Sequence, residues 1–211
     1  MAKIAIITGS TRTPRVGPHV AEWVREVLQG RGTDDGLEIE AVAVADFKLP
    51  VFDERVMPAM VPAQGQFAHA HSQAWSAAIQ AFAGYVWVVP EYNYGIGGGT
   101  KNAIDYLYHE WIGKPAVVVS YGIQGGQIVS EQLARTLAGM KLRVAPTKIQ
   151  LPFAGGAGPD MFAAAGQGVL GDDSKKAWVE QGLDREVLKA WEELKGLLEE
   201  KAKEDAEAAK N

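Results

Sequence analysis

Apolar and polar positions along this chain switch repeatedly between two periods. Lys3–Thr8 (K-I-A-I-I-T) is a short apolar, β-branched run that stops at Gly9-Ser10, the pattern of a strand buried on both faces. Gly17–Gln29 then carries Val20, Trp23, Val24 and Val27 at helical spacing. Leu37–Val44 alternates as a second strand and runs out at Asp46–Pro50. Phe67–Phe82 is Ala-rich, with Phe67, Ala70, Ala74, Ala78, Ile79 and Phe82 on one side, which predicts a helix. Tyr85–Val89 (Y-V-W-V-V) is a third buried strand, and Lys101–Trp111 sets Ile104, Leu107, Tyr108 and Trp111 at helical offsets. Pro115–Ser120 reads as a fourth strand, Gln127–Met140 as a helix, and Val144–Ile149 as a fifth strand. Asp184–Leu198 closes the series with an amphipathic helix through Val187, Leu188, Trp191, Leu194 and Leu198.

Buried strands alternating with helices imply right-handed crossovers and a parallel sheet with helices on both faces. Five such units fit an α/β, open doubly wound sheet, either in the flavodoxin-like order 2-1-3-4-5 or as half a Rossmann fold. Residues 1–198 read as a single domain. Arg55–Gln66, with Pro58 and Pro62, and Leu151–Asp173, rich in Gly and Ala, are too long for minimal connections. Each is read as surface decoration or as a functional segment, with 151–182 a lid or an interface. The charged tail Glu199–Asn211 is expected to fray as a solvated helix end.

Composition narrows the chemistry. The 211 residues are 47% apolar and 22% charged, the balance of a folded domain. With no cysteine, disulfide scaffolds, thiolate metal sites and cysteine nucleophiles are excluded. A net charge of −5 argues against a general nucleic-acid binder. No apolar run has the length of a membrane span, and the Met-Ala-Lys-Ile start lacks a signal-peptide layout, so a cytoplasmic protein is expected.

In such a sheet, ligands sit beyond the carboxyl ends of the strands, which directs attention to the loops after strands one, three and four. The first, Gly9–Gly17 (G-S-T-R-T-P-R-V-G), joins a strand to a helix N-terminus, where backbone N–H groups and the helix dipole favour an anion. Its hydroxyls and two arginines suit a phosphate, although it matches neither a Walker A loop nor Gly-x-Gly-x-x-Gly. The second, Pro90–Asn102, offers Tyr92, Asn93 and Tyr94 followed by four glycines, able to lie against a planar ligand. The third, Ser120–Gly126 (S-Y-G-I-Q-G-G), repeats that theme. Together they describe a pocket with a phosphate at one end and a flat heteroaromatic at the other, a description FMN fits.

Here the chain resembles a known family. G-S-T-R-T-P-R after strand one, P-E-Y-N-Y with K-N-A-I-D-Y-L after strand three, and S-Y-G-I-Q-G-G after strand four are similar to the NADPH-dependent FMN reductases, over roughly residues 3–150. The resemblance implies the flavodoxin-like fold and non-covalent FMN. It also implies reduction by NADPH or NADH, then reoxidation by a small-molecule acceptor (a quinone, an azo compound or free flavin) in a ping-pong cycle. By position, Ser10, Arg12, Arg15 and Val16 would hold the phosphate. Pro90, Glu91, Tyr92 and Asn93 would line the isoalloxazine, with Ser120, Tyr121, Gly122, Gly125 and Gly126 on its other side. Gly97–Thr100 stand where relatives commonly carry a proline and a leucine, and the chain after residue 150 departs from the commonest members.

No catalytic acid, base, nucleophile or metal is expected, because hydride transfer is the flavin's own chemistry. His69 and His71, two apart on a helix, would not share a face as a metal pair. Trp87 and Trp191 read as core. The rivals to an oxidoreductase are a flavodoxin-type electron carrier, against which Arg12 and Arg15 speak, and a flavin-binding regulatory protein. A homodimer or dimer of dimers is expected, since Ile104, Leu107 and Trp111 fill one helical stripe and leave Tyr106, with Tyr108, pointing elsewhere.

Overall fold

The computed structural model describes residues 1–30 and 36–210. Its strands are β1 (Ala2–Thr8), β2 (Leu37–Ala43), β3 (Gly84–Pro90), β4 (Pro115–Gly122) and β5 (Arg143–Pro152). They form one parallel sheet in the order β2-β1-β3-β4-β5, the flavodoxin-like order rather than half a Rossmann fold. The helices are α1 (Gly17–Gln29), α2 (Ala70–Gln80), α3 (Gly98–Asp105), α4 (Gln127–Gly139), α5 (Pro159–Gln167), α6 (Asp172–Glu180) and α7 (Leu183–Ala208).

The period of two along each strand divides the core. Ile4, Ile6, Val86 and Val88 face Val20, Trp23 and Val24 of α1 and Val187, Trp191 and Leu194 of α7. Ala5, Ile7, Tyr85, Trp87 and Val89 face the other way, onto Trp75 and Ile79 of α2, Ile104 of α3 and Leu133 of α4. Trp87 and Trp191 are core residues, as their patterns predict. None of the described helices is long and apolar enough to cross a membrane.

Several boundaries differ from the periodicity, each for a local reason. Phe67 and Phe82 are buried but lie outside α2. The Glu54 carboxylate accepts the Ala68 and His69 amides (3.0 and 2.9 Å), and His69 stays extended, so the helix starts only at Ala70. Likewise, α3 starts at Gly98 and ends at Asp105, short of the predicted Trp111. Beyond it the chain turns around the buried Glu110, whose carboxylate accepts the Ser76 hydroxyl at 2.5 Å and the Tyr108 amide at 3.3 Å.

The predicted loop Leu151–Asp173 holds α5 and the start of α6. Its signals were present, with Pro159 in the first turn and the left-handed Gly168 just past the last, but Met161–Ala165 shows no clear apolar stripe. In the tail, read as a fraying helix end, α7 is helical to Ala208, with an Arg143–Glu204 ion pair and Lys201–Asp205 at 2.5 Å along its last turns. Arg55–Gln66 is irregular apart from one 3-10 turn at Pro58–Met60.

Candidate functional site

The first loop leaves β1 at the carboxyl edge of the sheet and enters α1 through Val16. Pro18 has no N–H, and the His19 and Val20 amides both donate to the Val16 carbonyl (2.9 and 3.1 Å). The helix end therefore offers fewer backbone donors than its position suggests, and side chains carry more of any anion binding. Ser10 Oγ, Arg15 Nε and the Tyr121 hydroxyl are buried with no hydrogen-bond partner among the described residues. A Cβ on Gly17 would stand 2.2 Å from Ser10 Oγ and 2.9 Å from the Tyr121 hydroxyl, so those two groups share one corner at the start of α1. Burial pushes the Tyr121 phenol well above its ordinary range, and the neighbouring Ser10 hydroxyl offsets part of that rise. A buried polar group left unsatisfied costs about 1–3 kcal/mol, so three at one helix entrance call for an acceptor. A phosphate has the oxygens to supply one.

The second and third loops are tied together. The Glu91 amide donates to the Tyr121 carbonyl at 2.9 Å, and the Glu91 carboxylate accepts the Ile128 and Val129 amides of α4 at 2.9 and 3.1 Å. Glu91 thus caps α4 from a distance, because the residue at the helix start, Gly126, has no side chain to do so. Tyr92–Gly95 forms a turn whose central residues Asn93 and Tyr94 are both left-handed (φ 50° and 62°), a strained conformation for an exposed tyrosine. In the third loop, Ser120 is fully buried and its hydroxyl donates to the Gly125 carbonyl at 2.8 Å. Gly125 and Gly126 have φ of 78° and 74°, and a Cβ on them would press on Gln150 and on Ser120 at 3.1 and 3.0 Å.

A cavity of about 260 Å³ opens between the loops. Of the residues the sequence singled out, Arg12, Arg15, Val16, Pro90, Glu91, Tyr92, Asn93, Tyr121 and Gly122 line it. Ser10 stands behind this wall, next to Tyr121. Ser120, Gly125 and Gly126 do not line it; they shape the loop that carries Tyr121 and Gly122. The sequence reading missed Pro14, Ile123 and Phe153, and the α5 residues Met161, Ala164 and Ala165. Apolar residues after β5 carried no local signal of facing a ligand.

A second cavity, of about 300 Å³, lies against Gly9, Thr11 and Gly97–Gly99 and shares Arg12, Tyr92 and Asn93 with the first. The Arg12 guanidinium stacks 3.6 Å from the centre of the Tyr92 ring and so stands between the two. Burial raises the Tyr92 phenol, against the pull of Arg12 and Arg15.

Two other expectations change. His69 and His71 do share a face, their rings stacked 5.2 Å apart, because His69 precedes the helix; among the described residues no group of three or more metal-ligating side chains forms. Tyr106 does not point outward: it is fully buried, its hydroxyl donating to Asp53 at 2.9 Å and its ring 5.2 Å from Phe52, so the chain's own 50–53 segment covers it.

Residues 2–155 match the family described as NADPH-dependent FMN reductase. An NAD(P)H-dependent FMN reductase of Nectria sp is 57% identical over 201 residues, 95% of this chain and 98% of that protein. One of Saccharomyces cerevisiae is 39% identical over 146 residues, 67% of this chain and 76% of that protein. Among solved structures, FerB of Paracoccus denitrificans, a flavoenzyme NAD(P)H:(acceptor) oxidoreductase, aligns with a TM-score of 0.61 at 20% identity, covering 92% of this chain and 99% of that one. An oxidoreductase of Corynebacterium diphtheriae aligns at 0.63 with 18% identity, covering 95% and 98%. At those identities, the structural likeness speaks for the fold.

Proposed function

The chain belongs to the NADPH-dependent FMN reductase family, and from that premise we propose that it is an NAD(P)H-dependent FMN oxidoreductase working by a ping-pong cycle. Its acceptor would be a quinone, an azo compound or free flavin. The observation that carries this reading is the set of three buried, unpartnered donors, Ser10 Oγ, Arg15 Nε and the Tyr121 hydroxyl, at the entrance to α1.

The residues present fit FMN. Ser10 and Arg15, with Arg12 at the mouth, would hold the phosphate, and Pro90–Asn93 with Gly122 would line the ring system. When bound, FMN supplies two-electron chemistry between a nicotinamide and an acceptor. The protein's part is to bind, orient and exclude water. Val16, Phe153 and Met161 give the cavity an apolar wall. Glu91, the carboxylate beside it, is held in place by two α4 amides on Oε2. The reading includes self-association as a homodimer. Tyr106 no longer speaks for it, but Val51, Met57 and Met60 stand exposed in one short connection that a second copy would cover.

The test begins with protein reconstituted with FMN and inspected for bound-flavin absorbance. Steady-state NADPH oxidation with a quinone should then give parallel double-reciprocal lines. Absence of bound flavin sinks the reading. Bound flavin that turns over only with an added reductase makes the protein a carrier instead. Sedimentation of the same preparation tests the homodimer.

A further inference from the structure

The match to the family ends at residue 155, yet the cavity does not. Met161, Ala164 and Ala165 of α5 line it together with Arg12, Arg15 and Val16 of the first loop. We propose that α5 is a fixed roof over the phosphate end of the flavin site, which makes FMN a retained group rather than one that comes and goes with turnover. The proposal rests on the FMN reading above and adds to it which residues keep the flavin in place.

Three observations carry it. The first is direct contact between the end of α5 and the phosphate loop. Gly168, left-handed at φ 72°, lies so close that a Cβ there would sit 3.0 Å from both the amide nitrogen and the carbonyl oxygen of Arg15. Only glycine allows that approach together with that backbone angle.

The second is that the segment is anchored on both sides, as a wall is and a flap is not. The Asp160 carboxylate accepts the Ser174 amide at 2.8 Å, and the Ser174 hydroxyl accepts the Ala154 amide at 2.9 Å. Further along, Trp178 donates from Nε1 to the Pro152 carbonyl at 2.6 Å and packs edge-on against Trp23 of α1, 4.9 Å between ring centres. Two of these anchors fix α6 to β5 and its exit, and α5 is tied to that fixed helix through Asp160 at its start and packed on Arg15 past its end.

The third is how α5 is turned. Ala164 is buried and Met161 half-buried on the cavity side, while Phe162 is 65% exposed on the outside. A wall of this kind over a ligand phosphate narrows its way out, which lengthens residence more than it alters encounter.

The test compares flavin release from FMN-loaded protein, followed as the rise of flavin fluorescence after dilution, in the parent and three variants. Met161→Ala thins the roof, Gly168→Val lifts it from Arg15, and Phe162→Ala alters only its outer face. We expect release about tenfold faster in Met161→Ala and Gly168→Val. Phe162→Ala should stay within about twofold of the parent, since exposed sites away from such features change little. Parent-like release from Met161→Ala at an unchanged melting temperature would overturn the roof while leaving the FMN reading intact, and that variant decides the matter if Gly168→Val fails to fold. A parent that binds no flavin would overturn both.

Discussion

Arg15 and Arg12 belong to the same loop and carry the same charge, but their surroundings assign them different work. Arg15 has a buried Nε without a partner, while Arg12 is exposed and already stacked on Tyr92. A charge-assisted hydrogen bond completed by a ligand in a buried setting is worth about 1.5–3 kcal/mol. Arg15→Ala should therefore weaken FMN binding by about 2 kcal/mol, roughly 30-fold. Arg12→Ala should cost about 1 kcal/mol or less, the worth of an exposed cation–π contact. Fluorescence titration of the apoprotein measures both, and equal losses would contradict the assignment. At this scale the sequence was most legible where residues follow a strand directly. Arg12, Arg15, Pro90–Asn93 and Tyr121 all reach the cavity because the sheet order brings their strand ends together. Gly125 and Gly126, expected beside the flavin, stand outside the cavity lining, and their positive φ shapes the turn into α4. Phe153 and Met161 were illegible, since an apolar side chain looks the same in sequence whether it meets core or ligand.

Elements were legible in proportion to how far their own sequence decides them. The central strands β1, β3 and β4, buried on both faces, announce themselves, and α1 shows its stripe at both boundaries. The start of α2 depends on Glu54, more than ten residues upstream, and the entrance to α4 depends on Glu91, thirty-seven residues away. No window on either helix contains those carboxylates. The Glu91 cap has a measurable consequence, because it satisfies two amides that α4 would otherwise leave free and places negative charge at the positive end of the helix dipole. Glu91→Ala should lower unfolding stability in urea by about 1–2 kcal/mol. Glu91→Gln keeps an acceptor but loses the charge, and should recover about half of that loss. A neutral effect of Glu91→Ala would mean that water caps α4 as well as the carboxylate does.

Across the whole molecule, stability draws on contacts that no segment foreshadows. The last turns of α7 meet Arg143 of β5, sixty-one residues before Glu204. A buried network at the opposite edge of the sheet from the cavity makes the same point through pH. Lys114, at the approach to β4, donates from Nζ to the Ile79 carbonyl at 3.0 Å and to the Tyr85 hydroxyl at 2.9 Å. Burial lowers its pKa from 10.5 to about 8, against the pull of the Glu110 carboxylate and with a smaller push from Lys201. Between about pH 8 and 10.5 the unfolded chain holds this proton and the folded chain does not. The unfolded state then binds more protons, so stability rises with pH across that window. Below it both states carry the charge, and the folded state bears the cost of burying it. Above pH 10 the raised phenols of Tyr85, Tyr106 and Tyr121 act in the opposite sense, because unfolding frees them to ionise. The clean interval is therefore pH 8–10, where the parent's unfolding free energy should climb. Lys114→Met, which keeps the aliphatic stem and removes the titrating group, should be flatter there and relatively more stable below pH 8. Parallel slopes for the two proteins between pH 8 and 10 would show that Lys114 keeps its proton in the folded state, satisfied by its two acceptors and by Glu110.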